Sequence, residues 1–110
     1  MAVGMLDTTF DGDGVAYVDF HAFEAATDVV VQNDGKVIAV GVASNGAGGD
    51  FALARFNVDG SFDAAFGIAG KVATDVSADD NVSQAALTSD GKIIVVGTND
   101  IGPVRGFSVV

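Results

Sequence analysis

The sequence predicts an all-β protein made of two four-stranded antiparallel units. Three observations predict it. The chain repeats itself at an offset of 56 residues without a gap, with 14 of 54 aligned positions identical. Each copy carries Asp-Gly-Lys directly before an aliphatic run, in "NDGKVIAVGV" (33–42) and "SDGKIIVVGT" (89–98). No segment sustains apolar residues at the helical period of 3.6, whereas valine, isoleucine and glycine abound.

The elements follow in chain order. "VGMLDTTFDGDG" (3–14) reads as turns, and its counterpart "VDGSFDAAFGIAG" (58–70) joins the two copies. The first copy, residues 1–56, is expected to place strands at 15–20, 26–32, 36–43 and 50–57. Asp34-Gly35 supplies the hairpin turn between the second and third, and "SNGAGG" the loop before the fourth. The second copy, residues 57–110, repeats this with strands at 71–76, 82–88, 92–98 and 106–110 around Asp90-Gly91. The two copies together are expected to form one structural unit.

The identities fall on turn and aromatic positions. Asp7, Phe10, Gly14, Asp34, Gly35, Gly41 and Phe51 meet Asp63, Phe66, Gly70, Asp90, Gly91, Gly97 and Phe107. Asp7 and Asp63 are expected to cap their turns and anchor the aromatic residue three positions on. The long strands are apolar on both sides: Val37 and Ala39 alternate with Ile38 and Val40, and Ile93 and Val95 with Ile94 and Val96. Such strands lie between layers, as the central strands of propeller blades do.

"LDTTFDGDG" and "FDAAFGIAG", then "QNDGKVIAVG" and "TSDGKIIVVG", then "GGDFALARFNVDGSFD" make the chain resemble two tandem units of the bacterial delta-60 repeat family. The resemblance implies β-propeller-like blades, no catalytic residues and an extracellular or cell-surface setting. It departs at "RGFSVV", which lacks an Asp matching Asp50 and ends before the position of an Arg equivalent to Arg55.

Fifteen acidic against five basic side chains give a formal charge of −10, a field that repels phosphate backbones and anionic lipid. Nucleic-acid and membrane-surface partners are therefore not expected. The absence of cysteine leaves no disulfide framework, and "MAVGMLDTTF" does not read as a signal peptide.

Candidate sites are sparse. Asp11, Asp13 and Asp19 around "DGDG" form a weak Ca²⁺ candidate without the spacing of an EF-hand, and Asp79-Asp80 is weaker still. His21 is the single histidine, and with no cysteine an ordinary zinc site is not expected. The serines lack a nucleophile-elbow context, so no catalytic residue and no cofactor is assigned. Arg55 is expected to pair with a turn Asp, and Lys36 and Lys92 to stand at hairpin edges. The loops 44–49 and 99–105, which differ most between copies, are the default binding surfaces.

Two blades cannot close a ring, and their outer faces would remain apolar. The expected partner is therefore another copy of the chain, with three or four chains favoured, or neighbouring blades of a longer parent. The competing fold is a monomeric β-sandwich of the two sheets. A scaffold or binding module is the expected function, with a carbohydrate- or Ca²⁺-binding module as the alternative.

Overall fold

Seven strands form two antiparallel sheets in the computed structural model, which describes residues 4–19, 23–44, 49–75, 80–101 and 104–109. The first sheet holds β1 (Phe23–Val31), β2 (Val37–Ser44), β3 (Gly49–Phe56) and β4 (Lys71–Thr74), in that order. The second holds β5 (Asp80–Leu87), β6 (Ile93–Ile101) and β7 (Val104–Val109). The described residues contain no helix.

The Asp-Gly turns form as the residue types require. Gln32 N donates to Lys36 O at 2.9 Å and Gly35 N to Gln32 O at 3.0 Å. The second hairpin repeats both bonds between Thr88, Gly91 and Lys92, at 2.9 and 3.1 Å. Gly35 and Gly91 sit at φ 86° and 85°, a left-handed conformation that an L side chain resists.

The sheets also share their registers at the 56-residue offset. Asp28 faces Val40 and Val40 faces Leu53, while Gln84 faces Val96 and Val96 faces Val109. Both first hairpins carry a bulge at the same place, between Ala26 and Asp28 and between Val82 and Gln84. A bulge pushes the backbone toward its neighbour, and the glycines opposite make room. A β-carbon on Gly41 would stand 2.0 Å from Ala25 O, and one on Gly97 would stand 1.9 Å from Asn81 O.

The core lies between the sheets. Ile38, Val40, Phe51 and Leu53 of the first pack against Val82, Ala85 and Val95 of the second. Val72 of β4 and Phe66 join its margin.

Two strand expectations need correction. Residues 71–74 do form a strand, but it completes the first sheet by pairing with β3, with Phe51 opposite Thr74 and Leu53 opposite Val72. The second sheet therefore has three strands, not four. Residues 15–19, expected as the first strand, form none. The β3 edge is taken by β4, and an extended segment counts as a strand only where it pairs; residues 15–19 pair with no described strand.

Candidate functional site

A polar cluster surrounds Asp63, 5 % exposed and the buried charge among the described residues. Its Oδ2 accepts from Lys36 Nζ and from Arg55 Nε, both at 2.8 Å. Its Oδ1 accepts from Ala65 N at 3.1 Å, and Asp63 N donates to Arg55 O at 2.9 Å. The Arg55 guanidinium lies 4.5 Å from the centre of the Phe66 ring. The Lys36 hydrogen bond, with help from Ala65 N and the Arg55 charge, holds the Asp63 carboxyl below its ordinary value against the opposing effect of burial. The cluster ties the β1–β2 turn, β3 and the 63–70 turn together, and both cations are satisfied by the chain itself. Its chemistry is that of a clasp.

Asp7, the counterpart of Asp63, heads a turn of the same build. Thr9 N donates to Asp7 Oδ1 at 3.1 Å, Phe10 N to Asp7 O at 3.0 Å and Gly14 N to Phe10 O at 2.7 Å. In the other turn, Phe66 N donates to Asp63 O at 3.0 Å and Gly70 N to Phe66 O at 2.9 Å. Asp7 has no lysine or arginine partner among the described residues. The Thr9 hydroxyl and amide lower its carboxyl from the ordinary value.

The outer sheet faces form the second candidate surface. On the first sheet Ala39, Gly41, Ala52 and Ala54 floor a hollow of about 330 Å3, walled on one side by Ala16, Tyr17 and Val18. On the second sheet Ile94 is 37 % exposed. A second hollow, about 470 Å3, lies between the two Asp-Gly turns and is lined by Gln32, Asn33 and Asp34 with Thr88 and Ser89. Gln32 Oε1 is buried there without a donor among the described residues.

The remaining sequence candidates are placed as follows. Asp11 adopts a left-handed φ of 51°, and Asp13 Oδ1 accepts from Val15 N at 2.9 Å, closing a turn. Asp19 belongs to no group of three His, Cys, Asp or Glu suited to a metal ion, and no such group occurs among the described residues. Asp34 Oδ1 accepts from Lys36 N at 3.0 Å, and Asp90 lies 3.4 Å from Lys92 Nζ. His21, Asp79, residues 45–48 of one variable loop and 102–103 of the other lie outside the described residues. Phe107 stands in β7 opposite Thr98, as Phe51 stands opposite Val42.

The Lys36–Asp63 pair was not anticipated from the sequence. The signal was present: Lys36 and Asp63 both recur at the 56-residue offset, as Lys92 and Asp7.

These features define an all-β protein of two stacked antiparallel sheets with registers that repeat along the chain. A family model described as a domain of unknown function (DUF5122) beta-propeller matches residues 32–66, the segment holding β2, β3 and the whole Lys36–Arg55–Asp63–Phe66 clasp. The match supports a β-propeller repeat family. No curated protein and no solved structure matches the chain.

Proposed function

We propose that the chain is a non-enzymatic β-propeller scaffold whose sheets are blades, and that it assembles by stacking these blades on those of further copies. The sense of the stacking carries this reading. The first sheet turns its Ile38 side inward, whereas the second turns inward the Val95 and Gly97 side, which corresponds to Ala39 and Gly41. Two unlike faces therefore meet inside one chain, and the same two unlike faces remain outside. A twofold sandwich would instead bury like against like.

Burial follows the same logic. Ile38 is 0 % exposed and its counterpart Ile94 is 37 %; Ala85 is 9 % exposed and its counterpart Val29 is 56 %. The Ile94 face of one copy is thus complementary to the Ala39–Gly41 face of the next, a head-to-tail contact that closes into a ring or continues. No catalytic residue, cofactor or nucleic acid enters this reading.

Light scattering coupled to size-exclusion chromatography tests it. A mass of three or four chains is expected at micromolar concentration, and a single-chain mass overturns it.

A further inference from the structure

We infer that residues 7–18 of one copy complete the second sheet of another, Val15–Val18 adding to the outer edge of β7 while Asp7 receives Lys92. The inference rests on the stacking reading and names the contact that seals it.

Register is the first ground. The first sheet gains its fourth strand when Lys71–Thr74 pairs with β3, placing Thr74 opposite Phe51, Ala73 opposite Ala52 and Val72 opposite Leu53. The 56-residue offset converts these pairs to Val18 opposite Phe107, Tyr17 opposite Ser108 and Ala16 opposite Val109. β7 pairs with β6 and with no other strand among the described residues, so its outer backbone groups face an unfilled position. Residues 15–18 belong to no strand.

Charge is the second. The turns at 7–14 and 63–70 share their internal hydrogen bonds, including the Oδ1 bond to the amide two residues on. What differs is the other oxygen. Asp63 Oδ2 takes Lys36 and Arg55, whereas Asp7 Oδ2 has no partner among the described residues. Lys92, the counterpart of Lys36, is 78 % exposed, and its one acidic neighbour among the described residues is Asp90, at 3.4 Å. A folded acceptor and an extended donor are thus left on opposite ends of one chain. A second copy supplies each with the other.

Placement is the third. Ala16, Tyr17 and Val18 already border the hollow over Ala39, Gly41 and Ala54, with the Tyr17 side exposed. The stacking reading fills that hollow with the second sheet of a neighbouring copy. Its β7 edge then arrives beside the segment it lacks, and strand addition supplies the missing main-chain hydrogen bonds.

The chain has no cysteine, so the contact can be trapped cleanly. Directly opposed residues on antiparallel strands have Cα atoms about 4.5–5.5 Å apart, within disulfide range. Tyr17→Cys and Ser108→Cys chains, prepared separately, mixed and mildly oxidised, are expected to give a covalent two-chain product. Neither variant alone should give it, nor should Thr9→Cys mixed with Ser108→Cys. A multi-chain mass without the covalent product overturns the strand addition and leaves the stacking intact. A single-chain mass overturns both. Circular dichroism of each variant confirms that the sheets have formed, and exchanging the charges of Asp7 and Lys92 reads the same contact without cysteine.

Discussion

Phe51 Cε1 lies 2.9 Å from the point a β-carbon on Gly97 would occupy, so the ring rests on bare backbone of the opposing sheet. Phe51 is 0 % exposed, and its position sets how closely the sheets approach. Phe51→Ala removes that ring and leaves a void between two rigid layers. The expected loss is about 3–5 kcal/mol, read as a lower urea midpoint. A loss below about 1 kcal/mol would mean that the sheets close over the gap without cost.

Gly41 and Gly97 should respond alike for a backbone reason. Alanine in place of glycine within a strand ordinarily stabilises by roughly 0.5–1 kcal/mol. At these bulges the added carbon would fall 2.0 Å from Ala25 O or 1.9 Å from Asn81 O, so one backbone must move. Gly41→Ala and Gly97→Ala are both expected to melt well below the wild type. A variant melting at or above the wild-type temperature contradicts the bulge geometry.

The turns and faces could be read from residue type because their causes are local. Asp34-Gly35 and Asp90-Gly91 demand a left-handed glycine wherever the fold places them, and alternation along β2 and β6 fixes two apolar faces. Pairing is different. "KVAT" and "VAYV" have the same extended character, and nothing within either says which edge it joins. The first pairs with β3, and the second pairs with no strand among the described residues. The Lys36–Asp63 clasp spans 27 residues, and no local pattern announces it; only the recurrence of both residues could. "DGDG" places two carboxylates in alternation, and Asp13 Oδ1 accepts from Val15 N in the manner of a turn Asp.

The clasp predicts an acid limb in stability. The Asp63 carboxyl is held below its ordinary value of 3.8, so the folded chain binds its proton less readily than the unfolded chain. Its stabilisation is therefore complete above the unfolded value and is lost as pH falls through the folded one. Asp7, Asp28, Asp59 and Asp90 are shifted the same way and add to the limb. Protonation also relieves the repulsion of the −10 net charge, which acts in the opposite direction. Comparing wild type with Asp63→Asn separates the two effects. The variant should melt lower at pH 7, and its deficit should shrink as pH drops below about 4. A deficit independent of pH would remove the carboxylate from the account.

Ile38 and Ile94 occupy matching positions with unlike burial, and their variants should part ways. Ile38→Ala opens the core and is expected to cost about 2–5 kcal/mol within each chain. Ile94→Glu places a charge on the outer face, where the isolated chain tolerates it. It should leave the sheet content of the chain intact while light scattering falls to the single-chain mass. If the multi-chain mass persists, the Ile94 face is not the stacking surface.

Asp7 and Lys92 allow a test of partnership by charge alone. Under the proposed strand addition each meets the other across a boundary, so Asp7→Lys sets lysine against lysine and Lys92→Asp sets aspartate against aspartate at every junction. Each variant alone should require a concentration at least tenfold higher to assemble. Mixed in equal amounts, the two restore opposite charges wherever unlike chains meet, and a chain carrying both substitutions restores them at every junction. The double variant is expected to assemble at a lower concentration than either single variant, although Asp7→Lys still loses the Thr9 bonds of the turn, and raising the salt should compress the differences because exposed pairs are screened. Rescue cannot come from loss of a merely structural side chain, since neither single variant's defect would then be repaired by adding the other. Absence of rescue in both the mixture and the double variant would separate Asp7 from Lys92 and sink the clasp between copies.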